Sequence, residues 1–181
     1  MAETMRTPPY TLASDEKVSN IMVYTASYIY WGEVVSKQLI RVSTWLRTNS
    51  APDWICLFNA KAMSSLLTQP TKPFQFSELH ISVSQVMAYH LIPPAKDPPD
   101  YDPTEPNRKM QPATLLVGAT RIDGFMRLSA KANIAKYLEV AREPFTGVYD
   151  AKISNMNMPG MGVMAVPFLL ARQETSVYTS V

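Results

Sequence analysis

Two stretches of this chain carry the same local pattern in the same order. Trp54-Ile55-Cys56-Leu57-Phe58 runs into Asn59-Ala60-Lys61-Ala62, and ninety-one residues later Phe145-Thr146-Gly147-Val148-Tyr149 runs into Asp150-Ala151-Lys152-Ile153. Upstream, Ile40-Arg41-Val42-Ser43-Thr44-Trp45-Leu46 aligns with Ala132-Asn133-Ile134-Ala135-Lys136-Tyr137-Leu138 at a spacing of ninety-two, which also aligns Gly32 with Gly124. Three ordered matches whose offset drifts by one residue read as a diverged internal duplication. The 181 residues then divide into two similar units of about 70 residues each. A core that small seldom supplies more than ~5 kcal/mol, so the units are expected to pack on each other or on further copies.

The expected organisation is a flexible arm over 1–17, a first β domain over 18–92, a linker over 93–112, a second β domain over 113–172 and a tail over 173–181. Ile21 to Tyr30 is rich in Ile, Val, Tyr and Thr, which suit a pleated strand. Gly32 marks a turn or bulge that gives a hairpin. Val42, Trp45 and Leu46 share a helical face in a short segment. Trp54 to Met63 predicts a strand, Ser64 to Glu78 a long loop, and Leu79 to Ile92 a half-buried strand. Seven prolines within Pro93 to Pro112, among Asp97, Asp100, Asp102 and Glu105, predict an extended polyproline-like spacer. The second half repeats the plan. Thr114 to Thr120 is a strand, Arg121-Ile122-Asp123-Gly124 a turn, and Phe125 to Leu128 the return strand. A helix over Asn133 to Val140 follows, capped by Asn133 or Ser129, then strands over Phe145 to Ile153 and Met164 to Ala171. Pro167 lacks an N–H and argues for an edge or bulge. The predicted class is mainly β (α+β), with two tandem ββαββ units forming bent antiparallel sheets or partly open barrels.

Bulk properties narrow the function. Net charge is +2 with scattered basic residues, which is not the dense basic field of a duplex nucleic-acid binder. The single cysteine, Cys56, sits in an apolar run, permits no internal disulfide and is expected as a buried small hydrophobe. No stretch reaches the roughly 18 apolar residues of a membrane span, and Met1 to Pro9 lacks an apolar signal core, so a cytoplasmic protein is the expectation.

The search for chemistry yields no catalytic, metal-binding or cofactor-binding set. His80 and His90, ten apart on one expected strand, stand ~33 Å from each other and cannot share an ion unless the strand bends sharply or subunits combine. Met158-Pro159-Gly160-Met161-Gly162 lacks the remaining glycine and the lysine of a nucleotide-binding loop. Met156, Met158, Met161 and Met164 are adaptable apolar fillers that mark an interface with another subunit or, equally well, a core between the domains. Tyr28 and Tyr30 join them as candidate interface residues. Under the alternative of a nucleic-acid or small-ligand module, Lys37, Arg41, Arg47 and Arg127 are the anion contacts, converging around Tyr28 or Tyr30. Lys61 and Lys152 recur at the same place in both copies, where a lysine blunts an exposed strand edge or holds an anion.

A strand, a glycine turn, an Arg-X-Ser-X-X-Leu helix and a closing hairpin, here Gly32 followed by Arg41-Val42-Ser43-Thr44-Trp45-Leu46, resemble uncharacterised bacterial small β-domain proteins. The likeness covers most of the first half and, more weakly, the second, where Asn133 replaces the arginine. It implies a small β domain and carries no catalytic residue. Sm-like small barrels are a looser analogy, because their helix precedes the sheet. The reading is a non-enzymatic structural or scaffolding protein that forms homo-oligomers or docks onto a larger complex, with the arm and tail available to a neighbour. Replacing Met158 and Met161 together with serine is expected to weaken assembly or docking while leaving the strands intact, as size-exclusion mass and far-ultraviolet dichroism would show.

Overall fold

Alternating apolar side chains build ten strands, which the computed structural model describes within residues 9–48, 51–67 and 72–179. They are β1 (Glu16–Tyr24), β2 (Tyr28–Lys37), β3 (Trp54–Ser64), β4 (Phe74–Ser82) and β5 (Ala88–Leu91), then β6 (Arg108–Val117), β7 (Thr120–Ser129), β8 (Phe145–Asn155), β9 (Met164–Arg172) and β10 (Ser176–Thr179). All pairings are antiparallel and all belong to one open sheet, ordered β10-β6-β7-β8-β9-β5-β1-β2-β3-β4. A 3-10 helix over Val42–Arg47 links β2 to β3, and α1 (Ile134–Val140) links β7 to β8. The side chain of Asn133 caps α1 by accepting from Lys136 N at 2.9 Å.

Each half therefore has five strands rather than four. The expected single strand from Leu79 to Ile92 breaks at a 3-10 turn over Val83–Gln85, giving β4 and β5. β4 begins at Phe74, inside the stretch expected to be loop. The expected tail contains β10, which pairs with β6 after a matching 3-10 turn over Gln173–Thr175. In the expected arm, residues 1–8 lie outside the described residues, while Glu16 and Lys17 already belong to β1. Both halves have the same internal order, β5-β1-β2-β3-β4 and β10-β6-β7-β8-β9.

Of the turn or bulge expected at Gly32 the structure has the bulge, and the turn expected at Gly124 is a bulge as well. The β1–β2 connection lies at Thr25–Ser27 and the β6–β7 connection at Gly118-Ala119, with Gly118 at φ 58°. Gly32 and Gly124 instead lie within strands, each opposite a bulge in which two residues face one. A Cβ on Gly32 would stand 2.8 Å from Phe58 O, and one on Gly124 would stand 2.8 Å from Tyr149 O. Asn59 and Asp150, on the bulged strands, both take φ 47°, a conformation that short polar side chains tolerate. Glycine is needed here for close backbone approach, not for chain reversal.

The core divides into two clusters, and each borrows from the other half. One gathers Ile122, Leu128, Val148 and Leu169 with Tyr24, Ile29 and Ala88. The other gathers Ile21, Val23, Ile55 and Leu57 with Phe145 and Leu170. Pro167 sits in β9 beyond the short reach of β5, where its missing N–H costs no ladder bond. Arg108 to Pro112, assigned to the spacer on composition, are the start of β6.

Replacing Gly124 with alanine should cost about 1–3 kcal/mol, because the clash is with backbone that cannot yield. Gly160→Ala is the control, since nothing lies within 4 Å of its added Cβ. Urea denaturation of both variants measures the difference.

Candidate functional site

Among the described residues, β4 and β10 are the outermost strands of the sheet. β9 occupies the place in its half that β4 occupies in the other, and β5 the place that β10 occupies. Inside the chain β9 and β5 are joined, with Ala88 opposite Ala171 and Tyr89 opposite Leu170. Arg172 secures the joint. Its backbone N donates to Met87 O at 2.7 Å, its Nε donates to Val86 O at 2.7 Å, and its second terminal nitrogen reaches Val83 O. Its guanidinium also lies 4.6 Å from the centre of the Phe145 ring.

The same positions differ in exposure at the free end. Phe145 is 1% exposed at the joint, whereas Trp54, at the corresponding start of β3, is 60% exposed. Phe74 and Phe76 on β4 are also exposed, as is Val177 on β10. The 3-10 helix packs across β9 and covers the joint. α1 stands in the equivalent place at the other end and leaves Val140 exposed.

The residues singled out from sequence do not form one constellation. Tyr28 and Tyr30 are half-buried neighbours on β2, their rings stacked 5.8 Å apart. Met158, Met161 and Met164 pack against the second-half core, while Met156 is exposed. Lys37 is held by Asp15 and Glu16 at 3.0 and 3.2 Å. Arg41 donates to Pro98 O. Arg47 pairs with Asp100 at 3.2 Å and Glu143 at 2.6 Å. Arg127 pairs with Glu105 and lies over Tyr101. Arg47 and Arg127 line a common cavity with Asp100 and Glu143, but Tyr28 and Tyr30 are not among its walls. Lys61 and Lys152 lie on β3 and β8, which are flanked on both sides, so they blunt no edge.

These partners show what the proline-rich stretch does. Asp97 accepts from Ser43 N at 3.0 Å and Ser43 Oγ at 2.7 Å, at the start of the 3-10 helix. Asp100 accepts from Tyr149 Oη at 2.8 Å as well as from Arg47. Its acidic residues clamp the stretch against both halves, an arrangement its composition did not reveal.

Sequence reasoning also missed a cluster on β3 and β4. Cys56 is half-buried rather than buried, and its thiol donates to Glu78 Oε1 at 3.5 Å. Burial and the neighbouring Glu78 carboxylate push that thiol up to about 11. His80 Nε2 lies 2.9 Å from the same oxygen. The two histidines sit on different strands, β4 and β5, so the extended-strand separation does not apply. Only strand register, which aligns Cys56 with His80, would have exposed the cluster.

His90 belongs to the core. Its Nδ1 is 2.8 Å from Leu91 O, an acceptor, so Nδ1 carries the proton and Nε2 accepts from Tyr24 Oη at 3.1 Å. Burial lowers its pKa to about 4.

Among the described residues, no helix is long and apolar enough to cross a membrane. No protein-family model, curated protein or solved structure matches the chain.

The lowered pKa of His90 sets a pH dependence. Between about pH 6.5 and 4 the unfolded chain takes up a proton that the folded chain refuses, so stability rises with pH in this window. Acidification through it should remove on the order of 2–3 kcal/mol. Folding free energies measured across this range should vary less in His90→Gln, which cannot titrate.

Proposed function

We propose that this chain is a structural subunit, not an enzyme, that assembles with copies of itself head to tail through the free edges of its sheet. The observation that carries this reading is the internal joint. One half meets the other through its fourth strand and the neighbour's fifth, and among the described residues a fourth strand, β4, and a fifth strand, β10, form the outer edges of the sheet. Repeating the joint between chains sets Val177 opposite Ile81 and Tyr178 opposite His80, as Ala88 faces Ala171 and Tyr89 faces Leu170 within the chain. Trp54 then takes the place of the buried Phe145, and α1 of the neighbour takes the place of the 3-10 helix. The repeated strand order, the paired bulges at Gly32 and Gly124, and the matching φ of Asn59 and Asp150 support an origin by duplication.

Such an interface joins two different surfaces. It closes into a ring if the rotation per unit divides a full turn and otherwise grows as a filament. A strand at the edge of a sheet is a template on which a second strand can pair through its backbone N–H and C=O groups. The apolar residues beside them supply about 1.5–3 kcal/mol for each large side chain covered.

Two variants blocked at opposite ends test the reading. Trp54→Glu disables the β4 end, and Val177→Asp the β10 end. Each alone should be largely monomeric by light scattering, with self-association weakened ~10-fold or more, and the two mixed should form one-to-one dimers through their intact ends. A wild-type chain that stays monomeric at tens of micromolar, or variants that assemble like wild type, would overturn the head-to-tail arrangement.

A further inference from the structure

Three different metal-ligating side chains meet on one face of the β3–β4 pair. Register places Cys56 directly opposite His80, and Glu78 lies two residues along the same strand, so all three side chains leave the same side of the sheet. Their ligand atoms lie within 4.8 Å of one another, with Cys56 Sγ 3.5 Å and His80 Nε2 2.9 Å from Glu78 Oε1. Tetrahedral zinc with bonds of ~2.0–2.3 Å spaces its ligand atoms about 3.3–3.8 Å apart. Rotation of the exposed Glu78 and His80 side chains toward the half-buried Cys56 thiol would bring the three to that geometry, the glutamate–histidine contact opening as the ion enters.

We propose that Cys56, Glu78 and His80 form a binding site for a divalent transition ion of the zinc class, with the fourth position left to solvent or an external ligand. A thiolate, an imidazole and a carboxylate suit zinc or cobalt far better than magnesium or calcium, which take oxygen ligands. Two hydrogen-bonded strands carry all three residues, so the ligand backbone is ordered before the ion arrives. The fold does not require these residue types. At the matching positions of β8 and β9 stand Gly147, Phe168 and Leu170, and there Phe168 fills the space a Gly147 Cβ would enter, at 2.8 Å. The same three places are packing at the joint and ligands at the free end. His90, buried beside Tyr24 on β5, does not belong to this set.

Binding balances as thiol plus divalent ion giving a metal thiolate and one released proton. Ligation displaces the thiol proton, so binding strengthens as pH rises. The site uses one chain's residues, so its test is independent of whether the sheet edges pair.

The test is a cobalt and zinc titration of the reduced, untagged full chain. Cobalt should bind at one ion per chain with a near-ultraviolet thiolate-to-cobalt charge-transfer band, which zinc abolishes by displacement. Cys56→Ser should lose the band. His80→Ala and Glu78→Gln, which alter exposed residues, should bind zinc at least ~10-fold more weakly with unchanged far-ultraviolet dichroism. Weakening in these two supports the site even if Cys56→Ser fails to fold. No charge-transfer band in the wild type, a band that survives Cys56→Ser, or unchanged zinc affinity in both other variants would overturn it.

Discussion

The pairing of β9 with β5 is the contact on which the rest of the molecule depends. It is short, with only two residue pairs in register, yet it turns two five-stranded units into one ten-stranded sheet. Arg172 strengthens it by binding carbonyls of the turn before β5 and by lying over Phe145. Phe145 and Leu170 are then buried in the first-half core, and Tyr24, Ile29 and Ala88 in the second. Burying a large apolar side chain is worth about 1.5–3 kcal/mol. Neither unit could expose these residues without losing a substantial part of a small domain's stability.

Sheet shape within each unit depends on a different constraint. Gly32 and Gly124 allow the opposing bulge to come within contact of the strand backbone, and bulges of this kind bend a strand and increase its twist. The acidic stretch between the units then closes over the outside. Asp97 reaches the 3-10 helix of the first unit, while Asp100 bridges Arg47 of the first and Tyr149 of the second. Charge-assisted hydrogen bonds from both sides hold in place a segment that could not form a core of its own.

Joining β9 to β5 leaves β4 and β10 as the outermost strands of the sheet among the described residues. The two ends are not equivalent in chemistry. The β10 end offers Val177 and α1, whereas the β4 end offers Trp54, Phe74 and Phe76 around the polar set of Cys56, Glu78 and His80. A polar group placed in an apolar contact surface must find a partner when covered. The β4 face thus differs from the joint it resembles, because the joint carries Gly147, Phe168 and Leu170 in the places of Cys56, Glu78 and His80.

The sequence by itself determined the strand-rich class, the helical segments after β2 and β7, and the ninety-residue correspondence between Trp54–Lys61 and Phe145–Lys152. These are local properties, set by side-chain periodicity and by residue types that recur along the chain. It misplaced the turns, because a glycine needed for close backbone approach looks the same in sequence as one that reverses the chain. It also merged β4 with β5, since Val83–Gln85 is neither glycine- nor proline-marked. Tertiary structure alone decided that the halves share one sheet, that Asp97 and Asp100 fasten the spacer, and that Cys56 faces His80. Each depends on which strand edge meets which, and in what register. Backbone hydrogen bonds between residues far apart in the chain make that choice, and they leave no periodic trace in the order of side chains.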